Sequence, residues 1–434
     1  MRMLDIQFIR DDPELVKAKS AQKGYEVDID KLLELDTQRR TRLTQAEELR
    51  ARRNTQAGDS NNQRPSDEQI AAGRQLKEEL AKIEDDLKLI DEKYWELLKQ
   101  VPNMPLGDVP VGASEDDNQV AKQVGVKKDF DFKPKSHWEL AEAKDLIDKE
   151  RAAKVAGSRF AYIKGGLVQL QFAIIQFTLQ TLSDERVIEK LIQENNLNLV
   201  AKPFMPILPP AMVKTAPYEA SARLNAEEVT YKLADDDLWL NASAEHSLCT
   251  MYMDEILPEG ALPIRYLGYA TSFRREAGTY GKDIEGIIRM HQFDKLEMEV
   301  FSTPETGLDE HKLLIAVQEY LVQQLGLPYE VIQKCTADIG KPNARGIDLN
   351  TWLPGQSNYR ETHTADYMTD YQARRLKTRV KRGSGETEFV HTNDATAFAL
   401  GRTLAAIMEN YQTHDGHIEI PEVLRPFMNG KSEI

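Results

Sequence analysis

The stretch Tyr269 to Val300 holds the residues best equipped for chemistry. A strand-like run ends Thr271-Ser272-Phe273-Arg274-Arg275-Glu276, and a loop with Gly278, Gly281 and Gly286 follows. A second run reads Arg289-Met290-His291-Gln292-Phe293-Asp294-Lys295-Leu296-Glu297-Met298-Glu299-Val300. Alternate side chains of a strand face opposite sides, so Leu296, Met298 and Val300 point one way and Lys295, Glu297 and Glu299 the other. A hairpin therefore places Arg274, Glu276 and Glu297 where they can share one face. An arginine aimed at a phosphate and a carboxylate aimed at an ammonium are what amino-acid activation requires. Taken singly, Arg274 and Glu276 read as a surface strand pair, Phe293 as a core aromatic and Arg402 as a helix-start surface residue.

The elements around this stretch must hold it in place. After about Lys128 helical and strand patterns mix. Leu167 to Asn195 is helical, and further helices are expected near Glu310 to Leu325 and from about Ala397 to Tyr411. Consecutive strands joined by Gly-rich turns predict an antiparallel sheet with helices packed on it, an α+β arrangement. No Gly-rich phosphate loop of the Rossmann or P-loop kind is present, so nucleotide binding needs another device.

Residues 1–112 differ from the rest. Leu76, Leu80, Ile83, Leu87, Ile90, Tyr94, Leu97 and Val101 form a coiled-coil seam. An earlier helix, from about Asp28 to Ala57, has a poorer seam, because Arg39 and Arg42 fall where apolar residues are wanted. Gly58 to Ser66 reads as the turn between them, so the two helices run antiparallel as an arm over about 28–100. Val101 to Asn118, rich in Pro and Gly, reads as the linker to a second domain over 113–434. The arm carries Arg39, Arg40, Arg42, Arg50, Arg52 and Arg53, which can grip phosphates even though the chain's net charge is −15. Charge on a coil is more often only its solvated face.

Composition narrows the rest. Two distant cysteines among 434 residues encode neither a zinc ribbon nor a disulfide framework. The most apolar stretch, Leu167 to Leu182, is interrupted by four glutamines and is too short to span a bilayer. The first residues lack a signal-peptide core. The expectation is a cytoplasmic protein without membrane attachment or zinc.

The segment FRREAGTYGKDIEGIIRMHQFDKLEM closely resembles motif 2 of class II aminoacyl-tRNA synthetases, specifically the seryl family. Leu208-Pro209-Pro210 is similar to motif 1, and ALGRTLAAIMENYQ to motif 3, with Gly401-Arg402 at its helix start. The N-terminal, linker and C-terminal segments also resemble seryl enzymes, so the likeness covers nearly the whole chain as a divergent, bacterial-type member. It implies a class II antiparallel sheet, a homodimer, and ATP-dependent ligation of L-serine to tRNA(Ser) through a seryl-adenylate, with Mg²⁺ assisting. Whether tRNA(Sec) is a second acceptor stays open at this level. It implies roles for Arg274 at the α-phosphate and the serine carboxylate, Glu276 at the adenine amino group and Phe293 as the ring stacked on adenine. Arg275, Met290, Thr362, His363 and Thr364 join the ATP site. Arg402 is assigned to the γ-phosphate and Glu361 to Mg²⁺. Ser243, Ala244, Glu245, Glu297 and Thr396 are assigned to serine. The chain departs from the pattern at Asp394-Ala395-Thr396-Ala397, where Asn-Gly-Ser-Gly is usual; one carboxylate is added and two glycines are lost. It departs again after Glu361, where His363 and Asp366 enter.

Two rival readings stay open at this level. One keeps the adenylation chemistry but transfers to a carrier protein, and the intact arm argues against it. The other is a non-catalytic RNA-binding paralogue, against which the retained Arg274, Glu276, Glu297, Glu361 and Arg402 argue.

Overall fold

The computed structural model describes residues 4–58, 66–224, 230–276 and 286–434. Most of the expected arm turn and the motif 2 loop with Gly278 and Gly281 lie outside the described residues. Contacts divide the chain between Met104 and Pro105. Residues 106–112, within the expected linker and on the N-terminal side of the expected boundary, already bond to the larger unit. Leu106 N donates to Ala344 O, Thr336 N to Pro110 O, and Gly112 N to the Thr336 hydroxyl.

In the smaller unit two long helices, Ile29–Gly58 and Asp67–Gln100, pair along their length. The second starts sharply: Ser66 and Gln69 satisfy each other's backbone N–H in a reciprocal cap. Ala46, Leu49 and Leu80 form a small buried seam, with Leu76 and Ile83 against it. The arginines at seam positions are met by the partner helix. Arg39 Nε donates to Asp91 at 2.6 Å, and its guanidinium lies 5.4 Å from the Tyr94 ring centre. Arg42 pairs with Asp86 and Arg50 with Glu84. Half of the six arginines named on the first arm helix thus hold the two helices together. Arg40, Arg52 and Arg53 are exposed and form no ion pair among the described residues.

The larger unit is built on an eight-stranded sheet. We label its strands β1 (Gln119–Val124), β2 (Met205–Ile207), β3 (Ile264–Phe273), β4 (Gln292–Ser302), β5 (Tyr329–Gln333), β6 (Arg345–Leu353), β7 (Asn358–Thr369) and β8 (His391–Ala399). Their spatial order is β1-β5-β6-β7-β8-β4-β3-β2. Every neighbouring pair is antiparallel except β2 beside β3. One face is apolar: Leu296, Met298 and Val300 of β4, Ala395 of β8, Ala365 of β7 and Leu349 of β6 are all buried in one core. Helices Gly307–Gln324 and Leu400–Asn410 cover that face with Leu313, Val317, Leu321, Leu404 and Ile407. The opposite face is polar and carries the candidate site.

Two expectations are refined. The helix expected over Leu167 to Asn195 is broken into Gly166–Leu182 and Glu185–Glu194, because Asp184 caps the second piece through the Arg186 N–H. The expected helix from Ala397 begins at Leu400, since Ala397 to Ala399 still belong to β8. Both cysteines are buried and unpaired. Among the described residues no helix is long and apolar enough to cross a membrane.

Candidate active site

The polar face of the sheet forms the floor of a cleft of about 320 Å³. Alternation in β4 and β8 brings Lys295, Asp394 and Thr396 to it and sends Leu296, Met298 and Ala395 to the core. In β7 simple alternation would set Glu361 apart from Thr364 and Asp366. The pairing with β6 slips by one residue there: Asn350 faces Glu361 while Leu349 faces His363. That bulge lets Glu361, Thr362, Thr364 and Asp366 all line the cleft.

At one end the cleft is set up for anions. Arg402, at the start of the Leu400–Asn410 helix, reaches Glu361 with 2.7 Å between Nη1 and Oε1, and donates to the Glu361 carbonyl at 2.9 Å. Burial alone would raise the Glu361 carboxyl, but Arg402, Lys334 and Arg274 outweigh it and hold it at about 2. The carboxylate is therefore ionised throughout the neutral range. Arg274 donates to Ala242 O at 3.2 Å, and its guanidinium lies 5.2 Å from the Phe293 ring centre. Glu276 accepts from Arg289 at 2.7 Å and adopts a left-handed backbone (φ 49). A non-glycine residue held there stores local strain of the kind found at binding sites. Ile287, Ile288 and Met290 supply apolar wall. Gly401 is required where it stands, because a Cβ there would meet Ile287 O at 2.8 Å.

The other end is dominated by carboxylates around one guanidinium. Arg223 Nε donates to Glu245 at 2.7 Å, and its Nη2 to Asp394 at 3.2 Å. Asp366 lies 3.7 Å away. Burial would raise Glu245, but Arg223 holds it below the usual range. Burial pushes Asp394 well up, Glu245 adding to the shift and Arg223 opposing it. Lys295 forms an ion pair with Glu297 and lies 3.5 Å from the Ser243 hydroxyl.

Most of the sequence-expected residues meet in this cleft: Ser243, Glu245, Arg274, Glu276, Met290, Phe293, Glu361, Thr362, Thr364, Thr396 and Arg402. Four do not reach its surface. Arg275 turns to the Tyr231 ring, 5.6 Å away. His363 is sent down by the β7 bulge; it bonds the Thr362 hydroxyl and packs edge-on to Phe398, and burial pushes it to about 3. Ala244 is buried in an apolar cluster beside Leu248 and Tyr266. Glu297 is fully buried against Lys295, and burial raises its carboxyl against that lysine's pull. Sequence reasoning missed Arg223 and Lys334. Lys295 was visible in the period-two pattern of β4 but was not assigned a role.

The seryl-tRNA synthetase N-terminal domain model matches residues 3–105, and the class II tRNA synthetase core domain model (G, H, P, S and T) matches 229–411. A serine–tRNA ligase of Symbiobacterium thermophilum is 39% identical, covering 98% of both chains. The chain belongs to the seryl-tRNA synthetase family. A crystal structure of seryl-tRNA synthetase from Pyrococcus horikoshii complexed with ATP superposes with a TM-score of 0.88 at 37% identity. It covers 100% of this chain and 99% of that one. The cytoplasmic serine–tRNA ligase of Naegleria fowleri in complex with AMP gives 0.83 at 28%, over 100% and 98%. The sheet is thus the class II fold, and the helical unit is the family's N-terminal domain.

Proposed function

We propose that this chain ligates L-serine to tRNA(Ser) at the expense of ATP, through a seryl-adenylate, with release of diphosphate and AMP. Family membership over the whole chain makes serine–tRNA ligation its activity. The observation that carries the site assignment is the meeting of Arg274, Phe293, Glu361 and Arg402 in one cleft whose other end is lined by Ser243, Glu245 and Thr396.

The serine carboxylate is already ionised, so attack on the α-phosphorus needs no protein base. The protein's task is to place the two reactants and to stabilise charge as it develops. Arg274 holds the α-phosphate against the serine carboxylate, and the Phe293 ring stacks on adenine. Glu276, fixed by Arg289, accepts from the adenine amino group. Arg402 takes the γ-phosphate; in the free protein its charge is parked on Glu361. Glu245 and Glu297 serve the substrate ammonium, with Lys295 withdrawing from Glu297 as substrate arrives. The Ser243 hydroxyl pairs with the serine side chain. A hydroxyl-pairing pocket rejects analogues lacking the hydroxyl by about 10⁴ or more.

Magnesium fits this residue set in one particular way. Among the described residues no group of three or more His, Cys, Asp or Glu side chains is arranged to hold a metal ion. Mg²⁺ bound with substrate phosphates needs only one or two protein carboxylates. Glu361, ionised and lining the cleft, would hold it, and the ion would neutralise charge on the phosphate oxygens.

The helical arm contributes through Arg40, Arg52 and Arg53, which are exposed for phosphate contacts. A homodimer is supported by the exposed Met205 and Leu208 at the β2 edge, with Met212 nearby, since an apolar sheet edge invites a partner. Cytoplasmic residence follows from the role in translation, and tRNA(Sec) is a further acceptor to test. The deciding experiment is serine-dependent ATP–pyrophosphate exchange and charging of total tRNA, beside Arg274→Ala. Both activities should fall by about 10²–10³ in the variant. Exchange without charging would redirect the reading to another acceptor. RNA binding with neither activity would favour the non-catalytic paralogue.

A further inference from the structure

Arg223 has no part in the scheme above, yet it lines the cleft and meets three carboxylates there. It follows Ala222, whose left-handed backbone (φ 63) turns the chain sharply after the Thr215–Ala220 helix. Its guanidinium meets carboxylates from three separate segments: Glu245 at 2.7 Å, Asp394 at 3.2 Å and Asp366 at 3.7 Å. Gln372 fixes Glu245 from behind at 3.0 Å and is itself held by the Thr392 hydroxyl. The side chain keeps 18% exposure and lines the cleft.

Three carboxylates at one end of a cleft would, without a resident cation, favour a doubly cationic ligand. We propose that Arg223 is a specificity-determining residue. Its fixed positive charge makes the amino-acid end accept a substrate with one ammonium group and a neutral side chain, and reject one with a second ammonium. The proposal rests on reading that end of the cleft as the amino-acid site. Its sharpest probe is L-2,3-diaminopropionate, which matches serine in size and carries an ammonium in place of the hydroxyl. Placing that ammonium at the Ser243 end of the cleft adds a like charge to Arg223, and to Lys295, which lies 3.5 Å from the Ser243 hydroxyl, a strongly selective arrangement.

The test is ATP–pyrophosphate exchange by the full chain, with serine and with 2,3-diaminopropionate as the amino acid. The wild type should favour serine strongly, and Arg223→Lys should keep that preference. Arg223→Gln should move the ratio of kcat/KM values toward diaminopropionate by at least about tenfold, with the KM for ATP unchanged. Adding Asp394→Asn to Arg223→Gln should reverse the gain, because it removes a partner of the second ammonium. On the wild type alone, diaminopropionate should become a better substrate as rising pH removes its second charge, relative to serine over the same range; this arm needs no variant to fold. A folded Arg223→Gln with an unchanged ratio overturns the proposal, as does a wild type that shows no such pH dependence. Equal loss toward both substrates in the Gln and Lys variants would assign Arg223 a structural role and also overturn it. A wild type that activates no serine overturns the reading of the site itself, and this inference with it.

Discussion

Arg265→Met should be among the most destabilising substitutions in the larger unit. Arg265 stands on β3, facing the Gly307–Gln324 helix that backs the sheet. Its Nε and Nη2 donate to the two Glu310 oxygens at 2.8 Å each, and Nη1 donates to Val200 O at 3.1 Å and Lys202 O at 2.6 Å. Both charged side chains are fully buried. Methionine fills similar volume but leaves the Glu310 carboxylate without its cation and two carbonyls without a donor. Breaking a buried pair from one side costs about 3–5 kcal/mol. Burial already raises the Glu310 carboxyl, against the hydrogen bond and charge of Arg265. Without the arginine it rises further, and the folded state then binds a proton that the unfolded state releases. Stability of the variant therefore falls as pH increases between the unfolded and the folded pKa of Glu310. The loss is about 1.4 kcal/mol for each unit separating them, and is smallest at the acid end. Urea denaturation followed by tryptophan fluorescence at pH 5 and pH 8 reads both the size and the slope. The double variant Arg265→Met/Glu310→Leu should recover most of the loss, since an apolar pair can replace a buried ion pair at little cost. A penalty below about 1 kcal/mol, or one independent of pH and not relieved in the double variant, would refute the reasoning.

Gly401→Ala should lower pyrophosphate exchange by roughly 10²-fold while leaving the far-UV circular dichroism unchanged. The added Cβ meets the Ile287 carbonyl at 2.8 Å and must displace the helix start that carries Arg402; a variant with wild-type rates would show that this approach is not needed. Replacing Arg40, Arg52 and Arg53 together by alanine should weaken tRNA binding and flatten its salt dependence by about one unit of slope per arginine, with exchange in the absence of tRNA untouched. Arg39→Ala should instead lower the melting temperature of the arm, because it breaks the contact with Asp91 and Tyr94; an unchanged salt slope in the triple variant would remove those arginines from the interface.

Much of this protein can be read from its residues in order. The arm is legible because a seam of Leu, Ile and Tyr at alternating spacings of four and three has one stable solution, a paired helix. The hairpin around Arg274 and Glu297 is legible because period-two alternation assigns each side chain a face. The motif residues in their order are specific enough to place Arg274, Glu276, Phe293, Glu361 and Arg402 together, and the fold brings them to one cleft. Alternation could not foresee the β6–β7 bulge. A one-residue slip puts Glu361 on the same face as Thr364 and Asp366, and sends His363 into the core against Phe398. Nor could it reveal that Arg39, Arg42 and Arg50 are consumed between the arm helices, since that depends on which acids lie opposite. Arg223 is the clearest case. It lies 22 residues from Glu245 and 171 from Asp394, in a segment with no periodic pattern. Local sequence determines the direction in which a side chain leaves its own element. Which charges it meets is decided by strands and loops far apart in the chain, and only the folded sheet brings them within reach.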